Sequence, residues 1–377
     1  MEKKTAGHYF WLAGVIGLMA VLVALRYDSR HGLTALIQFG ADAEATKVPA
    51  LADIPHHVRE PRGFDGQFYA QIALDPLLRD PATLAAIDDP AYRARRILMP
   101  WAAYLVGLGQ PALIIQLYPL LDLVCWGFLL WWLLRILAPI GPWQRAIITG
   151  IVLSSGTLET VRLSLTDLPA TLLMLVPCIA AISPVRGALW LGLANLCRET
   201  SVLGTFAYFA GPVRGPAKPS RRALGLALAL LPLAVWILYV NFRLGRPQAG
   251  GGNFSWPLFG AWGALELAVR RFTSELSPSA LGAIAAIIGL HWQALHLWRQ
   301  RRLDDPLWRL GALFAVLLVF LGPKVWELPL GACRSVLPMT IAFNLLLARE
   351  TRPRWVLFVA TNLYSLHGIY TFLTYRS

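Results

Sequence analysis

Tyr9-Phe10-Trp11-Leu12-Ala13-Gly14-Val15-Ile16-Gly17-Leu18-Met19-Ala20-Val21-Leu22-Val23-Ala24-Leu25 carries no charge along its length, with Glu2-Lys3-Lys4 before it and Arg26 directly after. A run of this length reaches the lower end of the roughly 17–25 residues that cross about 30 Å of hydrocarbon. No small-residue cleavage pattern follows it, so it reads as an uncleaved first membrane span with the N-terminus in the cytoplasm. The stretches that follow repeat the pattern. Apolar segments at about 113–134, 165–183, 187–209, 223–242, 278–297, 307–322, 332–348 and 355–373 are expected to span, and two shorter runs, 97–108 and 146–158, either span or lie half-inserted. The chain is therefore expected to be an all-α polytopic membrane protein, a single integral-membrane domain over 1–377 with about 9–11 transmembrane helices.

Composition agrees with this reading. Of 377 residues 56% are hydrophobic and only 15% charged, against roughly 25% charged in soluble domains, and the mean hydropathy is +0.55. The formal charge of +13 sits in clusters at span ends, which suits positive-inside topology and contact with anionic membrane lipids rather than nucleic acid. Arg214, Lys218, Arg221 and Arg222 mark one cytoplasmic loop, Arg299, Arg301 and Arg302 a second, and Arg349, Arg352 and Arg354 a third. Segments 27–95, 245–275 and 323–333 then fall on the extracytoplasmic face. Cys125, Cys178, Cys197 and Cys333 lie in apolar segments without CxxC spacing, so neither a disulfide framework nor a zinc site is indicated.

The first extracytoplasmic loop, 27–95, is built rather than disordered. Asp75-Pro76, Asp80-Pro81 and Asp89-Pro90 each offer an N-cap aspartate followed by a proline suited to the first helical turn. Three short helices are expected, and Phe64, Phe68, Tyr69, Ile72, Leu77 and Leu78 recur near helical spacing, as in helices lying on the membrane with an apolar face down. Such a loop would roof the spans. The second extracytoplasmic loop, 245–275, contains a glycine-rich stretch from Ala249 to Gly252 with aromatic anchors after it.

Ionisable residues within apolar segments are the next signal, because each costs ~2.5–3.5 kcal/mol at the centre of a lipid-facing helix. Asp122, Glu159, Arg162, Asp167, Arg198, Glu199, Lys324, Glu327 and Arg334 are of this kind. Arg198 and Glu199 stand about midway along the expected span 187–209, which leaves them either an internal structural pair or residues facing a polar cavity. In the loop, Gly63-Phe64-Asp65-Gly66-Gln67-Phe68-Tyr69 sets a carboxylate among aromatic rings. Asp65 either N-caps the helix expected from Gly66 or is placed to take a proton from an acceptor hydroxyl. His56-His57 with Glu60 are candidate metal ligands, although adjacent histidines do not easily reach one ion from a regular element. The sequence indicates no cofactor and leaves a metal ion open.

These strings resemble the integral-membrane glycosyltransferases of the GT-C superfamily, especially the bacterial, mannosyltransferase-like branch. The resemblance rests on the acidic first loop, Phe64-Asp65-Gly66-Gln67-Phe68-Tyr69, the stretch Arg93 to Pro100, Ser164-Leu165-Thr166-Asp167-Leu168-Pro169, Cys197-Arg198-Glu199-Thr200, and Arg334 to Pro338. It implies a GT-C-like fold in a bacterial plasma membrane, and transfer of one sugar, with inversion, from a polyprenyl-phosphate donor to a lipid, glycan or protein acceptor. The loop aspartate, Asp65, would be the general base. Gln67, Tyr69, Arg96, Asp167, Arg198, Glu199, Lys324 and Arg334 would bind substrate, with Arg96, Arg198, Lys324 and Arg334 as the cations facing the departing phosphate. The family's acidic signature is usually a pair, a form that Asp42-Ala43-Glu44 and Asp88-Asp89 match better than Asp65. The absence of GxGxxG and GxxxxGK[ST] patterns fits a lipid-borne donor. Two other classes remain open: a lipid or solute transporter using the intramembrane charges as a path, and a non-catalytic scaffold of cell-envelope assembly.

Overall fold

The computed structural model describes residues 2–180, 182–211, 219–246, 251–327 and 329–374, the side chains of 2–6 and 329 excepted. Arg214 and Lys218 of the first basic loop, and Ala249 and Gly250 of the glycine-rich stretch, lie outside the described residues. The protein is 73% helical, with almost no strand. Among the described residues six helices are long and apolar enough to cross a membrane: Gly7–Ala24, Pro111–Ile136, Pro142–Leu163, Pro219–Leu244, Pro278–Arg299 and Trp355–Thr374. Three shorter apolar helices, Asp167–Ile179, Pro306–Phe320 and Leu337–Ala348, accompany them. The chain is a polytopic α-helical membrane protein.

Several expected spans differ in detail. The run at 97–108 yields only the helix Leu98–Val106 of 9 residues, about 14 Å at 1.5 Å per residue and far short of a bilayer. The run at 146–158 is instead the middle of a full-length, mostly buried span. That span turns at Ser154, whose side chain accepts from the Thr157 N–H to cap its second half. The expected continuous span 187–209 is broken: Pro184–Cys197 ends, Arg198 is extended (φ −158°, ψ 131°), and a 3-10 turn Glu199–Ser201 leads into Val202–Phe209. A second break falls at Val336, between Pro329–Ser335 and Leu337–Ala348. Pro338 has no N–H to return to the Arg334 carbonyl, so the helix cannot run through.

Buried amides and hydroxyls bind the helices to one another. Thr340 donates to Gln293 at 3.0 Å, Asn344 to Asn362 at 3.0 Å, and Asn195 to the Ala229 carbonyl at 2.9 Å. In a bilayer, where apolar burial between helices gains little, such bonds contribute about 0.6 kcal/mol each on average. The four cysteines are free thiols.

The polar segments collect at two ends. At one, Arg349 pairs with Asp305 at 2.8 Å, Gln300 donates to Glu350 at 2.8 Å, and Arg309 donates to the Ala207 carbonyl at 2.6 Å. At the other, the backbone of Asn253 accepts from Gly322 at 2.8 Å, which joins the second polar loop to the 323–333 segment. The first loop meets the end of Pro219–Leu244, where Trp236 donates to Ala94 O at 2.7 Å, Tyr239 to Leu77 O, and Arg243 to Leu78 O at 3.2 Å.

The first loop is docked on the helices rather than spread over the membrane surface. Tyr69, Ile72, Leu78 and Ile87 share one apolar cluster with Ala103, Ile114, Tyr118, Leu163 and Val240. Full burial of an Ile or Leu is worth about 1.5–3 kcal/mol, enough to fix the loop without lipid. Of the three Asp-Pro steps, Asp80 caps Pro81–Ala85 and Asp89 caps Pro90–Arg93. Asp75-Pro76 makes a turn instead, its carboxylate accepting from the Arg79 and Asp80 N–H groups at 2.6 and 2.7 Å. A two-residue parallel pairing of Phe39–Gly40 with Val58–Arg59 is the only strand pair among the described residues, and Gln67 fastens it by accepting from the Gly40 N–H at 3.0 Å.

Candidate functional site

The helix Asp65–Ile72 begins one residue earlier than the sequence suggests. Its N-cap is Phe64, in extended conformation, and Asp65 is the first helical residue with its side chain free of any capping role. Gly66 makes this placement possible: a Cβ there would collide with the Leu163 carbonyl oxygen and crowd that of Ile37. The loop helix can thus sit against the end of the span Pro142–Leu163, and Asp65 is delivered to the helix breaks beneath it.

Three interruptions converge there. After Leu163 the chain turns through Ser164 in the left-handed region (φ 48°), and Asp167 opens the helix Asp167–Ile179. Arg198 occupies the extended break after Pro184–Cys197, and Arg334 lies two residues before the break at Val336. The Cys197 thiol donates to Thr166 O at 3.4 Å and Ser164 Oγ to Leu36 O at 3.0 Å, tying two of the breaks to each other and to the loop. Broken helices at membrane depth are tolerated where the freed backbone is buried in protein or lines a polar cavity, and here each break carries a charge.

The charges form a continuous chain. Asp88 accepts from Arg93 Nε and Nη2 at 2.9 and 2.7 Å. Arg93 also reaches Asp65 at 3.0 Å, Arg334 lies 3.6 Å from Asp65 and 3.3 Å from Asp167, and Arg198 Nη1 lies 2.7 Å from Asp167 Oδ1. That last contact is an ion pair without hydrogen-bond alignment; Arg198 Nε donates to Thr200 Oγ1 at 3.2 Å. Beside the chain, Arg96 donates to Glu199 at 3.0 Å, Tyr69 Oη at 2.6 Å and Tyr92 Oη at 2.8 Å. Four arginines and four acids therefore balance in charge. Asp167 is 2% exposed and sits at a helix N-terminus, where the dipole favours a carboxylate.

Asp65 keeps an exposed edge, with 29% of its side chain accessible. Burial works against its charge, but Arg93, Arg334 and Arg96 outweigh it and draw the carboxyl down to about 2. Asp65 is ionised at neutral pH and, while so clamped, a weak base. The loop aromatics also face cations: the Arg93 guanidinium stands 4.9 Å from the Phe68 ring centre, and that of Arg59, outside the cluster, 4.8 Å from Phe64.

Of the residues expected to form a site, Asp65, Tyr69, Arg96, Asp167, Arg198, Glu199 and Arg334 come together. Gln67 stands apart, holding the Gly40 N–H. Lys324 is exposed on the short helix Pro323–Trp326 and makes no ion pair with the cluster. Among the rival acids, Asp88 is linked to Asp65 through Arg93, whereas Glu44 pairs with Lys47 at 2.6 Å and His56 at 3.2 Å, and Asp42 lies 3.9 Å from Arg62. Arg93 itself was not among the expected residues; its signal was the crowding of Arg93, Arg95 and Arg96 just before an apolar run. Two other acids lie outside the cluster. Glu159 binds Arg162 through two hydrogen bonds of 3.0 Å, and Asp122, 1% exposed, has Oδ1 without a hydrogen-bond partner among the described residues. No group of three or more His, Cys, Asp or Glu side chains gathers as a metal site among the described residues.

What the cluster can do chemically follows from its charges. Its arginines are held by carboxylates that an incoming anion could replace, and of these Asp88, Asp65 and Glu199 keep part of their side chains accessible while Asp167 is buried. Compared with family models, curated proteins and solved structures, the chain matches none.

Proposed function

We propose that the chain is a glycosyltransferase that moves one sugar from a polyprenyl-phosphate donor to an acceptor hydroxyl, on the extracytoplasmic face of a bacterial plasma membrane. The observation that carries this reading is the meeting of Asp65, from the loop, with Arg93 and Arg334 above two broken helices. In the transfer, the acceptor oxygen bonds to the anomeric carbon as that carbon's bond to the phosphate oxygen breaks. The acceptor proton passes to an Asp65 oxygen, and polyprenyl phosphate leaves with the bonding electrons. Attack opposite the leaving group inverts the centre. Arg334, Arg198 and Arg93 face the phosphate, and arginine pairs with such oxygens through two parallel hydrogen bonds.

The clamp on Asp65 is then part of the cycle. When donor phosphate draws Arg93 or Arg334 away, the carboxyl loses the charges that hold it near 2 and becomes a stronger base. Asp167 and Glu199 keep Arg198, Arg334 and Arg96 in place between turnovers, and Tyr69 orients Arg96.

Purified protein incubated with a labelled polyprenyl-phosphate sugar should release polyprenyl phosphate, and Asp65→Asn should abolish release while remaining folded in membranes. Transfer near the wild-type rate in that variant sinks the role of Asp65. No turnover with any donor, together with flux of lipid or solute in vesicles, would establish the transporter instead.

A further inference from the structure

The segment that follows Gly251 has the wrong charge pattern for a water-borne loop. From Gly251 to Leu265 it carries no charge, and the charges of the helix Phe259–Glu275 are Glu266, Arg270, Arg271 and Glu275, all toward its C-terminal end. An amphipathic helix lying flat at a membrane surface carries a polar face along its whole length; here the charges gather at one end. The uncharged end is the open one, with Phe254, Trp256, Phe259 and Trp262 exposed at 61%, 84%, 61% and 70%.

The contacts of that end give its depth. The helix is joined to the span Pro278–Arg299 by Leu276 and Ser277 alone and packs along it. Its 17 residues therefore run back, about 25 Å in all at 1.5 Å per residue, from the end of the span opposite Arg299. Gly260, near its start, abuts the Leu321 carbonyl and the Trp326 ring, where a Cβ would collide with both. The Trp326 ring lies within 17° of parallel to that of His291, centres 6.1 Å apart, and His291 is well inside the span. The helix Pro306–Phe320 agrees. From the end marked by the Asp305–Arg349 pair its 15 residues rise only about 22 Å, short of the roughly 30 Å of hydrocarbon, and residues 253–258 attach to its far end.

Irregular backbone is tolerated at such depth only where protein meets its polar groups, and here it does. The Ser255 and Leu258 N–H groups donate to Phe320 O and Val319 O at 3.0 and 2.7 Å, the Gly322 N–H donates to Asn253 O at 2.8 Å, and the Lys324 N–H to Gly252 O at 3.2 Å. Carbonyls left open where one helix ends thus serve the chain entering the next. Glu266, the deepest of the charges, is paired with Arg270 one turn nearer the surface.

We infer that residues 253–265 form a re-entrant segment, and that the surface made by Phe254, Trp256, Phe259 and Trp262 meets the acyl chains of the leaflet opposite the basic loops. The segment expected to be an extracytoplasmic loop would then reach water only near Arg270 to Glu275. The inference is independent of the transfer reading, since it concerns depth and not turnover.

The test uses the full chain in liposomes, with a nitroxide on Trp256→Cys, Trp262→Cys or Glu275→Cys, one at a time. The wild type, labelled in parallel, corrects for its own four thiols. All three positions are exposed, so the substitutions remove little packing. Paramagnetic resonance then compares collisions with oxygen, which concentrates in hydrocarbon, and with a water-soluble nickel chelate. At 256 and 262 oxygen should relax the spin and the nickel effect should fall several-fold below that at 275, where nickel should dominate. Nickel access at 256 or 262 equal to that at 275 would make the segment a water-borne loop. Shielding of 256 and 262 from both reagents would mean that protein, not lipid, covers the face. Either result overturns the inference.

Discussion

Asp65→Asn and Asp167→Asn remove one negative charge each from the same ionic chain, yet they should differ sharply in stability. Losing Asp65 orphans no cation: Arg93 retains both hydrogen bonds to Asp88, and Arg334 retains Asp167 at 3.3 Å. What is lost is the preference of the folded state for the charged carboxylate. Its fall from 3.8 to about 2 corresponds to about 2 kcal/mol, an upper figure for a side chain with an exposed edge. The sign follows from the direction. A carboxyl depressed on folding stabilises the protein above its unfolded value, near 4, and that stabilisation disappears as pH falls through about 2. Losing Asp167 is different, because it is the acid facing Arg198, at 2.7 Å, and one of two facing Arg334. A buried guanidinium left without its carboxylate costs about 3–5 kcal/mol. Equilibrium unfolding in mixed micelles, followed by tryptophan fluorescence at pH 7, measures both. Asp65→Asn should lose at most about 2 kcal/mol and Asp167→Asn more. If the two lose equally, Asp65 is a structural ion-pair member like Asp167, and the reasoning that separates a reactive carboxylate from its supports fails.

Other outcomes follow from the same contacts. Gly66→Ala puts a methyl group against the Leu163 carbonyl; it should destabilise by about 1–3 kcal/mol and expose the 60–75 segment to limited proteolysis. Arg96→Lys replaces a group that serves Glu199, Tyr69 and Tyr92 at once with a single ammonium; hydrogen exchange should quicken in the 92–98 and 198–202 segments, and unchanged exchange would show that the three bonds are dispensable. Lys324→Ala and Asp42→Asn, both outside the cluster, should leave release of polyprenyl phosphate within about twofold of wild type; a large loss in either would move the site.

The positions at which reading the sequence and seeing the structure part company share a cause. Asp80-Pro81 and Asp89-Pro90 were legible because an N-cap is a contact within one turn. Asp75-Pro76 obeys the same local rule and still makes a turn, because Leu78 is drawn into the buried cluster with Ile72 and Ile87, which bends the chain after Pro76. Arg198-Glu199 carried a readable warning, since neighbouring charges in an unbroken helix point about 100° apart and cannot both leave the lipid on one side. The structure resolves the conflict by breaking the helix, which lets Arg198 turn to Asp167 and Glu199 to Arg96.

By itself the sequence determined the solvent and the material of this protein: apolar runs of membrane length, few charges, basic clusters between them, and a loop with capped helices. Those properties depend on composition and on residues within a few positions of one another. Only the tertiary structure decided that the loop docks on the helices rather than on lipid, that two helix breaks and the connection after Leu163 meet beneath it, and that Asp65, Asp167 and Arg334 are neighbours although separated by 102 and 167 positions in the chain. Long-range pairing of charges depends on how the helices pack and where glycines such as Gly66 permit close approach, and no local pattern encodes that.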